Sequence, residues 1–324
     1  MKDSWIKKGF VDEPVDSSID LVDGIRQLVK QKNAVILAHY YQEAAIQDIA
    51  DFVGDSLDLS RKASETDADM IVFAGVHFMA ETAKILSPGK KVLIPDQMAG
   101  CSLADSCPTD EFAAFCNDHP DHMVVTYVNT SAAVKALSDV CCTSTNAVQI
   151  IQHIPESQKI IFAPDRNLGN YLNSLTGREM LVWDGACHVH EEFSLEKILL
   201  LKNEYPEALI IAHPECQGPI RIVADFIGST SALLNFSKNN ASATYIVATE
   251  SGILHQMKKA SPDKLFIPAP PKDSTCACND CMFMKLHTLK KIYNTLKYEW
   301  PEVTVPEDIR VLAEVPIRRM LEWS

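Results

Sequence analysis

No stretch of the 324-residue sequence approaches the roughly 18 consecutive apolar residues that a membrane-spanning helix needs. Its opening, MKDSWIKKGFVDEPVDS, mixes both charges where a secretory leader carries an apolar segment, so a cytoplasmic protein with no membrane partner is expected. Cysteine is too sparse for a disulfide scaffold. Ten thiols in a chain this long, kept reduced in the cytoplasm, read where they cluster as metal ligands or reactive groups. Positive charge is also short, with 30 Lys and Arg against 43 Asp and Glu, a net charge of -13 and a pI near 5.2. That balance disfavours nucleic acid or an anionic membrane surface as the partner and leaves small molecules. The Cys-x3-Cys-x2-Cys spacing of radical enzymes and ferredoxin-like cysteine runs are missing as well, which weakens an electron-transfer reading.

What is present is a composition of 47% hydrophobic and 23% charged residues, ordinary for a globular chain of two or three compact units. Nine short apolar runs stand out: AVILA (34–38), MIVFA (70–74), KVLIP (91–95), MVVTYV (123–128), KIIFA (159–163), MLVWD (180–184), ALIIA (208–212), TYIVA (244–248) and KLFIP (264–268). They lack the alternation of half-exposed strands and so predict strands buried on both faces. Segments of helical pattern such as QDIADFVGDSLDLSRKASET and SLEKILLLKNEYPEA separate most of them, which predicts parallel α/β units. Right-handed crossovers then direct the C-terminal strand ends to one edge.

The runs repeat in triplets. His39, Tyr127 and His213 close or follow the first strand of each, 88 and 86 residues apart. Ser56, Ser144 and Thr230, in turns that look like helix starts, keep the same two intervals. Beyond the third strand of each triplet comes a cysteine: Cys101, Cys187 and Cys281, at intervals of 86 and 94. Three related edges facing a common axis would bring three thiols together. In the stretch STCACNDCMFM only one of Cys276, Cys278 and Cys281 is needed for that set, and Cys281 has the best claim because MFMKL resumes helical pattern directly after it.

Three thiolates are one too few for a closed structural zinc site, but they can hold a [4Fe-4S] cluster and leave one iron open as a Lewis acid. Around it, His39, Tyr41, Tyr127, Asn129, His213 and Glu215 form a polar pocket, with His213 and Glu215 of AHPEC as the acid/base pair. Ser56, Ser144 and Thr230 supply neutral oxyanion donors, so an acidic chain can still bind anionic substrates. Each feature also has a plain structural use. Ser and Thr at helix starts cap, a histidine after a strand satisfies a hydrogen bond, and His77 and Glu81 of FAGVHFMAET either shape the pocket edge or pack. Cys107, Cys116, Cys141, Cys142 and Cys216 read as core or turn residues. Two other classes fit the pocket: a cluster-dependent hydro-lyase of another small diacid, and a sensor whose cysteines bind zinc.

The motifs ILAHYYQ, GDSLDLS, FAGVHFMAETAKIL, PDQMAGCSLADSC, YVNTSAAVKALSDVCCTSTNA, PDRNLGNYL, WDGACHVHEEF, AHPECQGPIRIVADFIGSTSAL, ATESGILHQM and CMFMKL, in this order, resemble the quinolinate synthase family from about residue 20 to the terminal VPIRRMLEW. The resemblance implies condensation of iminoaspartate with dihydroxyacetone phosphate to quinolinate, releasing phosphate and two waters, as a step of NAD biosynthesis, with functional coupling to an iminoaspartate-producing enzyme as a further expectation. It implies a [4Fe-4S] cluster on Cys101, Cys187 and Cys281. It places His39, Tyr127, Asn129 and His190 around the substrates, gives the phosphate or carboxylates to Ser56, Ser144 and Thr230, and assigns proton transfer to Tyr41, His213 and Glu215. The fold it implies is α/β, with three αβα domains about a pseudo-threefold axis around a central active site. The expected repeats are 20–104 (joined by the C-terminal segment 285–324), 105–190 and 191–284. Two departures stand out: Cys276-x-Cys278-x2-Cys281 where Cys-x2-Cys-x2-Cys is common, and His287 where an Asn is common. The first leaves a redox-sensitive pair or a plain loop at Cys276 and Cys278, and the loop is the reading preferred.

Overall fold

The computed structural model describes residues 2–273 and 280–324, so Cys276 and Cys278 lie outside the described residues. Twelve parallel strands form three four-stranded sheets. The first contains β1 (Ala34–His39), β2 (Phe52–Gly54), β3 (Met70–Ala74) and β4 (Lys91–Leu93). The second contains β5 (His122–Tyr127), β6 (Val140–Cys142), β7 (Lys159–Ala163) and β8 (Leu181–Val182). The third contains β9 (Leu209–Ala212), β10 (Phe226–Ile227), β11 (Thr244–Ala248) and β12 (Leu265–Pro268). All three sheets have the same order, β2-β1-β3-β4, β6-β5-β7-β8 and β10-β9-β11-β12. One αβα unit is thus built three times.

The nine apolar runs supply nine of these strands, and their burial explains the missing alternation: every residue of β3 is buried, as is every residue but the first of β7 and β11. The other three, β2, β6 and β10, are two- or three-residue edge strands. The segment QDIADFVGDSLDLSRKASET is therefore not one helix. It divides into the helix Ala44–Ile49, the strand β2 and the helix Ser56–Glu65. An aspartate precedes each edge strand and reaches the central strand beside it. Asp51 Oδ2 accepts the Ile36 N–H at 2.7 Å, Asp139 Oδ2 the Val124 N–H at 2.7 Å, and Asp225 Oδ2 the Ile210 N–H at 2.8 Å. A carboxylate there satisfies a donor beyond the reach of so short a strand.

The first two sheets share a core. Leu37, Phe73 and Val92 of the first pack in one buried cluster with Val125 and Phe162 of the second, each such side chain being worth roughly 1.5–3 kcal/mol of burial. On the far side of the first sheet, Ile292, Tyr293 and Leu296 of the helix Leu289–Tyr298 join Ile25, Ile36 and Val72. The last helix, Glu307–Glu322, sets Ala313, Ile317 and Met320 against Leu57, Ile85, Ala132 and Cys141, elements of the first two sheets. Among the described residues no helix is long and apolar enough to cross a membrane. Because every strand is parallel, the loops after β1, β5 and β9 and those after β4, β8 and β12 leave from corresponding edges, and these edges meet at one cavity.

Candidate active site

The cavity is about 60 Å³ in volume, and all thirteen residues singled out in the sequence line it: His39, Tyr41, Ser56, Cys101, Tyr127, Asn129, Ser144, Cys187, His190, His213, Glu215, Thr230 and Cys281. His39 and Tyr127 end their strands, and His213 follows β9 directly. Ser56 and Thr230 are the first residues of helices, but the caps are their predecessors: Asp55 accepts from Leu57 and Asp58, and Ser229 accepts from Ala232. Ser144 lies in the turn ahead of the helix Ala147–His153. All three hydroxyls are therefore relieved of capping and free for other partners. His77 and Glu81 do not line the cavity; His77 Nδ1 lies 3.8 Å from Glu81, whose Oε2 accepts the Ala132 N–H at 3.1 Å. Cys107, Cys141, Cys142 and Cys216 are buried and Cys116 is half-buried, all away from the cavity.

A hydrogen-bonded chain runs through the wall. The Tyr127 phenol donates to Glu215 Oε1 at 2.6 Å, and His190 Nδ1 lies 3.1 Å from Glu215 Oε2. His190 Nε2 is 3.1 Å from the Thr249 hydroxyl, which meets the Tyr41 phenol at 2.8 Å; that phenol also meets Thr230 Oγ1 at 2.9 Å. His213 Nε2 lies 3.2 Å from Ser144 Oγ, and the His190 and His213 rings stack with centroids 4.8 Å apart. Asn129 Oδ1 is buried with no hydrogen-bond partner. An acceptor left open in a cavity wall calls for a donor from a bound molecule.

Burial dominates the protonation states. It lowers His39 to about 4 and His213 to about 3 despite the pull of Asp55 and Glu215, so both are neutral near pH 7. It pushes the Tyr41 and Tyr127 phenols well above 10. Burial also works against ionised Glu215, but the imidazoles of His190 and His213 and the phenol of Tyr127 offset it and hold the carboxyl below the usual range. At neutral pH the site thus offers neutral imidazoles as bases, phenols as acids and the Glu215 carboxylate. The cavity wall carries no Lys or Arg among the described residues.

The three thiols are high as well. Burial raises Cys101 to about 12 and Cys281 to about 11 and raises Cys187 further, and the charge that one of them would carry raises another. Such mutually repelling thiols become thiolates together only around a cation. Their flanking residues interlock: Ser102 Oγ and His188 Nδ1 are 2.7 Å apart, and the Phe283 ring meets the His188 ring edge-on with centroids 6.1 Å apart. With three thiols, no further cysteine in the wall among the described residues, and no disulfide, the donor set fits the [4Fe-4S] group that the resemblance implies.

Asp55 and Glu250 are lining carboxylates that the sequence reading did not single out. Glu250 Oε1 accepts the Cys281 N–H at 3.1 Å and faces Lys285 Nζ at 3.0 Å, while Oε2 accepts the Gly252 N–H at 2.7 Å. It fixes the backbone that carries Cys281. Burial, opposed by Lys285, raises its carboxyl to about 7. Its place in VATESGIL, directly after β11, was the one signal available.

Comparison with known proteins agrees with this geometry. The family model described as NadA: Quinolinate synthetase A protein matches residues 23–322. The chain is 60% identical over 306 residues to the quinolinate synthase of Thermosynechococcus vestitus, covering 94% of this chain and 96% of that protein. It is 61% identical over 305 residues to the quinolinate synthase of Synechocystis sp., covering 94% and 96%. To that of Chloroherpeton thalassium it is 57% identical over 313 residues, covering 96% and 97%.

Proposed function

The chain belongs to the quinolinate synthase family, and from that premise we propose that it condenses iminoaspartate with dihydroxyacetone phosphate in the cavity between its three sheets, holding a [4Fe-4S] cluster through Cys101, Cys187 and Cys281. The observation that carries this reading is the convergence of one thiol from each of three like-built units on a cavity whose remaining polar wall is hydroxyl, amide, imidazole and carboxylate, with no Lys or Arg among the described residues. Held by three protein thiolates, the cluster supplies a Lewis acid for loss of water.

The rest of the chemistry belongs to the chain. Ser56, Ser144 and Thr230 bind the phosphate and carboxylates with hydroxyl donors, and Asn129 Oδ1 accepts a hydrogen bond from a substrate hydroxyl or amine. Neutral His213, 3.2 Å from Ser144, takes a proton from substrate carbon. The Tyr41 phenol, kept protonated by burial, returns one to oxygen. Glu215, oriented by Tyr127, stabilises the positive charge that develops on His213 beside it, 3.7 Å away. Burial of these groups excludes water from the imine intermediates.

The test is anaerobic purification followed by iron and sulfide analysis and an assay of quinolinate from the two substrates. The wild-type protein should carry about four irons and four sulfides and form quinolinate. Cys101→Ser, Cys187→Ser and Cys281→Ser should each lose both metal and activity, whereas Cys216→Ser should keep the cluster. A full cluster in any of the first three, or no quinolinate from a loaded enzyme, would overturn the proposal.

A further inference from the structure

Beside the three-thiol set lies a second group of metal donors that shares one cysteine with it. Cys187 Sγ, a ring nitrogen of His190 and a carboxylate oxygen of Glu215 all lie within 4.8 Å of one another. His190 and Glu215 are 2% and 3% exposed. Their facing atoms are poorly matched without a third party. His190 Nδ1 is buried with no hydrogen bond, yet it lies 3.1 Å from Glu215 Oε2. His190 Nε2 meets the Thr249 hydroxyl at 3.1 Å. In the tautomer whose proton sits on Nε2, the Nδ1 lone pair faces a carboxylate oxygen, and a cation bound by both would satisfy the pair.

We propose that the protein without its cluster binds one zinc-type divalent cation through Cys187 Sγ, His190 Nδ1 and Glu215 Oε2. Tetrahedral zinc with bonds of about 2.0 to 2.3 Å sets its ligands about 3.4 to 3.8 Å apart, so the set closes by a small rotation of the Cys187 side chain. Each of the other two donors already has the outer partner that orients a ligand: Thr249 meets His190 Nε2 at 3.1 Å, and the Tyr127 phenol at 2.6 Å donates to the other oxygen of Glu215. Three protein ligands leave the fourth position to water. Binding exchanges the Cys187 thiol proton for the metal, one proton passing to solvent for each cation bound. Because Cys187 cannot serve both sets, zinc and the cluster exclude one another; this clause alone rests on the reading of the site given above.

The apoprotein, reduced and kept anaerobic, is titrated with cobalt(II) and then with zinc. One equivalent of cobalt should give a thiolate-to-cobalt absorption band that one equivalent of zinc removes. Cys187→Ser should lack the band, and His190→Ala and Glu215→Gln should each weaken binding by about 10- to 100-fold or more. Cys101→Ser and Cys281→Ser should bind cobalt within about twofold of wild type. Near-UV circular dichroism confirms that each variant is folded, and His190→Ala and Glu215→Gln test the site independently if Cys187→Ser is not. A band that survives in Cys187→Ser, or that Cys101→Ser and Cys281→Ser lose as fully, overturns the proposal. Reconstitution with iron and sulfide separates the two readings. If Cys101→Ser and Cys281→Ser take up a full cluster, the three-thiol set is wrong while the cobalt result stands. Zinc-loaded wild-type protein should resist reconstitution in proportion to its zinc content, and unhindered uptake overturns the exclusion.

Discussion

Substituting Gly252 by Ala should damage the site from outside it. Gly252 has an ordinary helical backbone, φ -57, so the cost is not conformational. It is one of space: a Cβ there would lie 2.7 Å from the Tyr41 carbonyl carbon and 2.8 Å from its Cα and O. Ordinary contact begins near 3.4 Å, so one backbone must retreat by about 0.7 Å, a displacement of the overpacking kind that costs about 1–3 kcal/mol. The Tyr41 phenol has hydrogen bonds of 2.9 and 2.8 Å to Thr230 and Thr249, and the same displacement stretches at least one of them past 3.5 Å, adding about 1 kcal/mol. The sum is about 2–4 kcal/mol. Misplacing the proton donor proposed for the reaction by nearly 1 Å should cost about 100-fold in turnover. Urea unfolding midpoints and anaerobic kcat measure both effects. Gly89→Ala is the control, since nothing lies within 4 Å of a Cβ at Gly89. If Gly252→Ala matches Gly89→Ala in both midpoint and kcat, the close approach does not exist.

Two further substitutions probe buried titratable groups outside the cavity wall. His287 donates through Nε2 to the Gly75 carbonyl at 2.6 Å while its Nδ1 has no partner, and burial lowers it to about 4 from 6.5. A depressed base contributes stability that is present above pH 6.5 and lost as pH falls toward 4, about 2 kcal/mol of it between pH 7.5 and 5. His287→Asn should therefore show a shallower acid-side decline in urea midpoint than wild type; parallel profiles would refute this. Lys135 is fully buried, reaches the Thr130 carbonyl and sits 5.3 Å over the Phe78 ring. Lys135→Ala should cost about 2–5 kcal/mol through the void and the orphaned carbonyl, and Lys135→Met should recover most of it. A Met variant as unstable as the Ala variant would show that the ammonium, and not the volume, holds that loop.

Much of the fold was legible because buried parallel strands leave continuous apolar runs, and because a threefold repeat in the chain kept its register at the first-strand ends and the helix starts. What was missed follows from length and distance. The strands β2, β6 and β10 are too short to carry a pattern, so Phe52–Gly54 merged with the helical segments around it. Asp51, Asp139 and Asp225 repeat at the same 88- and 86-residue intervals as Ser56, Ser144 and Thr230. Their signal was in the sequence, but a surface-type aspartate suggests no ladder bond. Glu250 works through the backbone of Cys281, 31 residues on, and Gly252 through that of Tyr41, 211 residues back. Neither relation leaves any local trace, since what matters is the separation of two backbones.

Asp55 shows how one carboxylate ties the three units together. It is 5% exposed, and its Oδ1 caps the helix Ser56–Glu65 by accepting from the Leu57 and Asp58 N–H groups, both at 3.0 Å. Its Oδ2 accepts the Thr145 hydroxyl at 2.7 Å and the Ser231 hydroxyl at 2.6 Å. Those residues adjoin Ser144 and Thr230, so one side chain sets the spacing of all three hydroxyls proposed to bind anions. Asp55→Asn keeps the cap through its single carbonyl oxygen, and its amide can donate to the two hydroxyls. It loses the charge assistance of two bonds, about 1–2 kcal/mol. Asp55→Ala loses the cap, about 1 kcal/mol, and both hydroxyl bonds at about 1.5–3 kcal/mol each, so it should cost about 4–7 kcal/mol and raise KM for the phosphorylated substrate. Thr145→Val and Ser231→Ala should each cost about 1–2 kcal/mol alone and little more on top of Asp55→Ala, because their partner is already gone. Additive losses in those double variants would mean that the hydroxyls work independently of Asp55, and the three helix starts would then need some other tie.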